Sequence, residues 1–322
     1  MKDYINSWIS RKLPKLHDFL GRSLFTSIAL LILIAGAMGL AVFLFFNSAA
    51  PTKITILAGP QDSIFRKLAD KYKTILAKEG IRLKIIESEG SLDNLKKLAD
   101  PAFKANVAFV QGGETEGVDI DNLVSLGSIS YQPLAIFYTG EPKTMLTGFK
   151  GQRLDIGPKG CGSHILTLAL LKANGIDVSK DVTLIDTGKE DIAQALIDNR
   201  IDAIFTMTDS VSLDTLRKLM RAPNVRLFSF SQADAYTRRF NYLSKLELPK
   251  GTFDIGRNIP AEDVYMLGPT VELIARNNLH PALVDILLET AREVHGPAGI
   301  FKKSGEFPSL VEHEIRISPD AT

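Results

Sequence analysis

Short apolar runs alternate with amphipathic helical patterns over residues 53–110. The apolar runs have the length of strands, and the helical segments repeat their apolar residues every three to four positions. The predicted strands are 53–57, 82–87 and 106–110, and the predicted helices are 63–78 and 91–99. Such alternation is typical of a parallel sheet with right-handed crossovers. The pattern therefore predicts a first α/β unit.

A second α/β series follows a long extended region at 123–138. Its predicted strands are 153–156, 182–185, 203–206 and 225–228, and its predicted helices are 164–174, 190–199 and 212–220. Residues 242–260 are rich in turn-forming residues, an extended run covers 264–274, and a helix is predicted at 281–295. The polar tail after Gly296 contains several prolines, and we expect it to pack loosely.

Two α/β series in one chain predict two lobes. Extended segments near 128–147 and 263–274 would carry the chain from one lobe to the other and back. We expect residues 51–135 and 263–322 to form lobe 1, and residues 136–262 to form lobe 2. Two such crossings would act as a hinge, with a ligand cleft between the lobes.

Residues 23–46 are uncharged and predominantly apolar. At about 1.5 Å per residue, a helix of this length would reach about 36 Å, which exceeds a hydrocarbon layer of roughly 30 Å. The segment predicts a transmembrane anchor, with the lipid bilayer as its partner. Cleavage of a signal peptide after Ala50 is the alternative, because Ser48, Ala49 and Ala50 resemble a small-residue cleavage site.

The distribution of charge indicates the orientation of this anchor. Overall, 38 Lys and Arg residues balance 37 Asp and Glu residues, for a net charge of +1. Residues 1–22 have an excess of basic groups, and a basic segment before a membrane helix stays in the cytoplasm. We therefore expect a single-pass protein of the cytoplasmic membrane, with its body in the periplasm or on the extracellular side. The nearly neutral body excludes electrostatic binding of nucleic acid.

The chain contains none of the common catalytic signatures. It has no Gly-x-Ser-x-Gly elbow, no His-Glu-x-x-His motif and no Walker-type loop. Its single cysteine, Cys161, excludes an internal disulfide and a cysteine-cluster metal site. Residues 312–314 (EHE) are more typical of a solvated polar stretch than of a metal site. We expect a binding protein without a cofactor, and an enzyme on the same scaffold is the alternative.

Three loops that lead from a strand into a helix are candidate anion sites. The first N–H groups of a helix lack partners and carry partial positive charge, which favours an anion. These loops are residues 59–63, 88–91 and 157–163. The last loop is the strongest candidate, because Gly157, Gly160 and Gly162 would let a ligand approach the backbone closely. Ordinary caps and turns are the alternative for each loop.

Polar residues directly after predicted strands are further candidates for the cleft. Gln111 follows the strand 106–110, and Thr206 and Thr208 lie at the end of the strand that begins at residue 203. In a doubly wound sheet, the carboxyl ends of the strands line the ligand crevice. Tyr131 could supply an apolar wall, and ordinary core packing is its alternative.

Two segments share a recognisable spacing of Gly, Ser, Asn and Gln: residues 89–95 (EGSLDNL) and 107–113 (VAFVQGG). They resemble the Gly-Ser-x-x-Asn…Gln-Gly-Gly pattern of TAXI-type solute-binding proteins. Proteins of this family serve tripartite ATP-independent periplasmic (TRAP) transporters. The loop 157–163 is similar to the family's Gly-x-x-Gly-Ser-Gly-Thr loop, with Cys161 and Ser163 in place of the usual Ser and Thr. Residues 279–285 and 306–309 look like a membrane-anchored branch of the family.

The resemblance implies a periplasmic-binding-protein type II fold, in which two α/β lobes close on a small organic anion such as an amino acid or a carboxylate. By position, it implies ligand contacts from Ser91, Gln111, Gly160, Gly162 and Ser163. The hypothesis is therefore a membrane-tethered, extracytoplasmic solute-binding protein that delivers its ligand to a membrane permease. A ligand-sensing adaptor for a membrane partner and a binding subunit of an ATP-driven transporter are the alternatives.

Overall fold

The computed structural model describes residues 27–40, 51–61, 63–188, 191–208 and 211–321. The chain divides into two units, Met1–Ala50 and Pro51–Thr322. In the first unit, residues 27–40 form a helix (α1), and the rest of the predicted anchor at 23–46 lies outside the described residues, as do residues 1–22 and Ala50. Among the helices that the structure describes, none has both the length and the apolar composition that a membrane crossing requires.

The second unit contains eleven strands and seven α-helices among its described residues. Its first part comprises β1 (Lys53–Leu57), α2 (Ile64–Lys78), β2 (Arg82–Ile86), α3 (Ser91–Ala99), β3 (Val107–Gln111) and β4 (Leu123–Tyr131). Next come β5 (Leu134–Thr139), β6 (Arg153–Asp155), α4 (Gly162–Ala173), β7 (Thr183–Leu184), α5 (Ile192–Ile197) and β8 (Ala203–Met207). The last part comprises α6 (Leu213–Arg221), β9 (Val225–Leu227), α7 (Ala233–Arg239), β10 (Leu243–Leu248), β11 (Val264–Arg276) and α8 (Pro281–His295).

Lobe 1 is built on the strand order β2-β1-β3-β11-β4. Strand β1 runs parallel to β2 and β3, whereas β11 runs antiparallel to β3 and β4. Along β3, Val107 and Phe109 pack towards α2 and α8, while Ala108 and Val110 pack towards α3. Because both faces of the sheet are covered, β3 is apolar at each of these consecutive positions.

Lobe 2 is a second sheet with the order β11-β5-β8-β6-β7, in which β10 also pairs with β11 and β9 with β5. Helices α4 and α7 cover one face of this sheet, and α5 and α6 cover the other. The two separate α/β/α cores confirm the predicted two-lobed, mixed α/β fold. They are also the architecture that the family resemblance implies.

Two extended segments cross between the lobes. In β11, residues from Val264 to Pro269 pair with β10 of lobe 2, and residues from Thr270 to Arg276 pair with β4 of lobe 1. The single extended region expected at 123–138 is in fact two strands, β4 in lobe 1 and β5 in lobe 2. By strand pairing, the lobes therefore meet near residues 132–133 and 269–270.

The region 242–260 is not composed of turns alone, because it contains β10. In this strand of six residues, the buried Leu246 and Leu248 alternate with exposed residues, and Leu243 is buried in the core on the other face of the sheet. The charged side chains of Lys245 and Glu247 obscured this pattern in the sequence. Pairing with β11 along the whole of β10 supplies the backbone hydrogen bonds that stabilise the strand.

The expectation of a loosely packed tail is wrong. Phe307 is 3% exposed, and its ring lies edge-on against Tyr131 with the ring centroids 4.8 Å apart. The backbones of Ser128 and Ser309 exchange two hydrogen bonds of 2.8 and 2.9 Å. The tail thus packs against lobe 1 and contributes to its structure.

We predict that Phe307→Ala lowers the free energy of unfolding by about 3–5 kcal/mol, the cost of removing a buried aromatic side chain. Leu310→Ala is the control, because Leu310 lies in the same tail but is 43% exposed, and this change should cost less than about 0.5 kcal/mol. Urea unfolding of the full chain in detergent measures both. Equal and small effects would show that the tail contributes no packing energy.

Candidate functional site

A cavity of about 530 Å³ lies between the two lobes. Lobe 1 lines it with Pro60, Ser63, Ile64, Phe65, Glu89, Gly90, Ser91, Gln111 and Gln132. Lobe 2 lines it with Asp155, Gly157, Pro158, Cys161, Gly162, Ser163, Asp186, Thr187, Gly188, Ile192, Thr206, Met207 and Val211. Most of these residues follow the carboxyl ends of strands or begin helices, which is where α/β sheets bind ligands.

The N-terminus of α3 forms part of the wall in lobe 1. Its N-cap residue is Gly90, which provides no capping side chain, so the first N–H groups of α3 have no side-chain acceptor from the cap. The Ser91 hydroxyl instead accepts a hydrogen bond of 2.6 Å from the backbone N–H of Gln111. This bond holds the start of α3 against the end of β3, with both residues at the cavity.

Asn94 stabilises the same corner of lobe 1 from behind the cavity. It is fully buried, donates to the Phe109 carbonyl at 2.9 Å and accepts from the Ser88 hydroxyl. The Asn of the Gly-Ser-x-x-Asn pattern therefore attaches α3 to β3 and does not line the cavity. Sequence reasoning gave this residue no role of its own.

The N-terminus of α4 forms the facing wall in lobe 2. Cys161 is its N-cap, and the cysteine side chain makes no capping hydrogen bond, so these N–H groups also lack a side-chain acceptor from the cap. The Ser163 hydroxyl donates to the Ile156 carbonyl at 3.2 Å and lies 3.1 Å from Cys161 Sγ. The predicted loop 157–163 thus presents backbone N–H groups to the cavity while its hydroxyl is engaged within the loop.

Asp155 holds this loop in place. One carboxylate oxygen accepts from the N–H of Gly157 at 2.9 Å, and the other accepts from the N–H and hydroxyl of Thr187 at 3.0 and 2.6 Å. Asp155 is 3% exposed and has little contact with solvent. The three donors therefore stabilise its carboxylate in place of water. Sequence reasoning missed Asp155, and the signal available was an acidic residue at the end of a buried strand, directly before a glycine-rich loop.

The two walls touch across the cleft. Gln111 Nε2 donates to the carbonyl oxygen of Gly162 at 3.4 Å. A Cβ atom added to Gly90 would lie 3.9 Å from the carbonyl oxygen of Gly160, which places Gly160 near the wall although it is not one of the lining residues. Of the predicted site residues, Ser91, Gln111, Gly162, Ser163 and Thr206 line the cavity.

Besides Gly160, two more predicted site residues do not line the cavity. Tyr131 donates from its hydroxyl to Glu306 at 2.7 Å and packs against Phe307, so the tail draws its side chain away from the cleft. Thr208 is half-buried and bonds through its N–H to the Pro133 carbonyl at 2.9 Å. The apolar wall consists instead of side chains that sequence reasoning did not select: Ile64, Phe65, Ile192, Met207 and Val211.

The charged groups that line the cavity are all acidic among the described residues. They are Glu89, Asp155 and Asp186, and Asp155 is already compensated within its loop. Lys159, in the same loop, is exposed and does not line the cavity. Within the part of the chain that the structure describes, an anionic group would therefore be bound by the two helix N-termini and not by a basic side chain.

Three carboxyl groups lie behind the cavity in lobe 1. Glu314, in the tail, accepts from the N–H of Gly113 and from the Thr115 hydroxyl at 2.9 Å, so residues 312–314 are not simply a solvated stretch. Burial raises the pKa of Glu114 to about 8, the Ser91 hydroxyl opposes this rise, and the charge of Glu314 adds to it. No group of potential metal ligands occurs among the described residues.

Glu272 of β11 has a similar environment. Burial raises its pKa to about 7, the Ser125 hydroxyl opposes the rise by donating a hydrogen bond, and the charge of Glu314 adds to it. Both Glu114 and Glu272 are 4% exposed. Glu272 in β11 and Glu114, three residues beyond β3, thus each have a pKa that burial raises towards neutral pH.

Residues 63–294 match the NMT1-like family. No curated protein matches the chain. Among solved structures, the chain is similar to the periplasmic aliphatic sulphonate binding protein SsuA from Escherichia coli, with 15% identity, 77% of this chain and 70% of that chain covered, and a TM-score of 0.48.

Two further solved structures are similar to the chain. The alkanesulfonate-binding protein SsuA from Xanthomonas axonopodis pv. citri, bound to MOPS, shows 15% identity over 76% of this chain and 73% of that chain, with a TM-score of 0.45. A putative methionine-binding lipoprotein from Bacillus subtilis shows 14% identity over 74% and 90%, with a TM-score of 0.42. Sulfonates and methionine are named only as ligands of those proteins. The ligand of this chain must be inferred from the residues that line its own cleft.

We predict that the free energy of unfolding falls as the pH rises from 6.5 to 8. In this window Glu114 and Glu272 still bind protons in the folded state, whereas the unfolded chain has released them above the ordinary pKa of 4.5. His295 has the opposite effect, because burial lowers its pKa from 6.5 to about 3, but that contribution diminishes as the pH rises past 6.5, where the unfolded histidine loses its own proton.

The glutamine side chain in Glu114→Gln cannot ionise. This variant should therefore show a smaller fall in the free energy of unfolding between pH 6.5 and 8. Urea midpoints of the full chain between pH 6.5 and 8.5 measure the slope, and Glu116→Gln, at an exposed site two residues away, is the control. A slope that is the same in wild type and in Glu114→Gln would contradict the raised pKa.

Proposed function

The chain belongs to the NMT1-like family, and we propose that it is a solute-binding protein that captures a small organic anion between its two lobes. The observation that carries this proposal is the meeting of two helix N-termini, one from each lobe, at a single cavity. Neither helix receives a capping side chain, so its first N–H groups are available to a ligand. Binding would therefore join the lobes through the ligand itself.

The chemistry of the wall favours a ligand with one acidic group and an apolar body. The N–H groups of α3 and α4 would bind a carboxylate or a sulfonate, and Ile64, Phe65 and Met207 offer contacts to an apolar body. Glu89 and Asp186 would repel a second acidic group and would accept from an ammonium group. A monocarboxylate, a monosulfonate or an apolar amino acid therefore fits better than a dicarboxylate.

The energetics are adequate for capture at micromolar concentrations. A dissociation constant of 1 μM corresponds to about −8 kcal/mol. Hydrogen bonds to a charged group contribute roughly 1.5–3 kcal/mol each, and a helix N-terminus adds about 0.3–2 kcal/mol. Three or four such bonds and partial burial of the apolar body would reach this value after the costs of ordering are subtracted.

We predict that a panel of monocarboxylates and monosulfonates with apolar bodies contains a ligand, and that its uncharged amide counterpart does not bind. Cys161→Asp should then abolish binding, because a carboxylate at the N-cap occupies the N–H groups of α4 and repels the ligand. The same change should stabilise the protein by about 0.5–2 kcal/mol as a new helix cap. Calorimetry on the full chain measures binding, and thermal unfolding measures stability.

The control for this prediction is Gln232→Asp. Gln232 is the N-cap of α7 and also makes no capping bond, but it does not line the cavity. Gln232→Asp places the same charge at a helix N-terminus outside the cavity, so it should leave binding unchanged. A ligand that binds equally well to Cys161→Asp would show that α4 does not hold the anion.

We also propose that residues 23–46 anchor the protein in the cytoplasmic membrane, with the body outside, and that the ligand passes to a membrane permease. The uncharged stretch and the basic residues before it support the anchor and its orientation. The resemblance of residues 89–95 and 107–113 to TAXI proteins favours a TRAP-type permease. An ATP-driven permease and a signalling partner are the alternatives.

We predict that the full chain, crosslinked in its native membrane and purified, carries with it a multispanning TRAP-type permease subunit. Mass spectrometry identifies the partner. The chain with Cys161→Asp is a useful comparison, because loss of the permease from that variant would indicate that docking requires bound ligand. Recovery of an ATPase or of a signalling protein instead would contradict the TRAP assignment.

A further inference from the structure

Gln111 is buried between the lobes although it lies at the cleft. The residue is 2% exposed, and its side chain extends from the end of β3 to the first residue of α4, where Nε2 meets the Gly162 carbonyl at 3.4 Å. This is a hydrogen bond from lobe 1 to lobe 2. The bond can exist only while the lobes are close enough to hold Gln111 Nε2 within hydrogen-bond distance of the Gly162 carbonyl.

Both ends of the contact are fixed within their own lobes. The N–H of Gln111 donates to Ser91 Oγ at 2.6 Å, and Gln111 pairs with Val271 of β11. On the other side, Ser163 donates to the Ile156 carbonyl at 3.2 Å, which holds the start of α4. Neither backbone can follow the other when the lobes separate, so opening breaks the bond.

Gly162 has no room for a side chain in this arrangement. A Cβ atom there would lie 2.1 Å from Oε1 and 2.8 Å from Cδ of Gln111. The backbone does not require glycine, because Gly162 has no positive φ, in contrast to Gly157 and Gly160. Alanine is also the better helix former. The contact with Gln111 is therefore the physical reason that the structure offers for glycine at 162.

We propose that Gln111 and Gly162 form a latch between the lobes. The hydrogen bond stabilises the closed arrangement, and the missing side chain at 162 is what permits Gln111 to enter it. Gln111 is thus a positioning residue that acts through the separation of the lobes. The inference rests on the proposed function only for the premise that the lobes open and close.

The latch is tested by measuring the distance between the lobes in the full chain in detergent, without added ligand. Cysteines that replace the exposed residues Lys78 of α2 and Lys172 of α4 carry spin labels, in a Cys161→Ala background that removes the native thiol without adding a helix cap. Double electron–electron resonance then gives the populations of the short and the long distance. Circular dichroism confirms that each variant is folded.

Gln111→Ala removes the hydrogen bond and should lower the ratio of closed to open molecules about fivefold. Gly162→Ala should lower it by a similar factor, because the added methyl group displaces the flexible end of the Gln111 side chain and breaks the same hydrogen bond. The double variant should match Gln111→Ala, since no hydrogen bond is then left to lose. Gly256→Ala is the control, because a Cβ atom there lies no nearer than 3.7 Å to another group and should change nothing.

Distance distributions like that of the wild type in all variants would overturn the latch. An effect of Gly162→Ala that persists undiminished without Gln111 would also overturn it, since Gly162 would then be needed for a different contact. Neither outcome depends on ligand binding. Failure of the latch would therefore leave the proposed function intact, and a chain that binds no ligand can still show the latch.

Discussion

Strand β11 belongs to both sheets, and this shared strand is the constraint on which the rest of the structure depends. Its first half pairs with β10 in lobe 2, and its second half pairs with β3 and β4 in lobe 1. Each lobe has its own core on both faces of its sheet. The two cores are therefore separate, and β11 is one of two extended segments that connect them, which is an arrangement that permits hinge motion.

The cleft follows from this constraint. Because the strands end on either side of the crossing, the loops that start α3 and α4 come from different lobes and reach the same cavity. Asn94 and Asp155 hold these loops without lining the anion site with positive charge. The walls thus present neutral N–H dipoles that are already oriented, and a ligand would meet them without the cost of ordering side chains.

Elements with strong local signals were predictable from the sequence. Helix α8 spans Pro281–His295 as expected, since Pro281 opens it and His280 Nδ1 accepts from the N–H of Ala282. Strand β10 was missed because its stability comes from pairing with β11, which lies some twenty residues further along the chain. Helix α7 was missed too, as its seven residues are too few for a clear helical period.

The same distinction holds at the site. The predicted loop residues Ser91, Gly162 and Ser163 line the cavity, because the start of a helix is a local feature of the chain. The position of Tyr131 depends on the tail, which packs against it from more than 170 residues away, and no local pattern shows that contact. The buried pairing of Gln111 with Gly162 is likewise visible only when both lobes are in place.

The central claim is that two helix N-termini bind the acidic group of a solute in this cleft. A crystal structure of the chain with the tightest-binding monocarboxylate or monosulfonate tests it most directly. We predict that the acidic oxygens lie about 3 Å from backbone N–H groups at the starts of α3 and α4, with the apolar body against Ile64 and Met207. An acidic group that faces solvent, or that pairs with a lysine or arginine outside the cleft, would contradict the account.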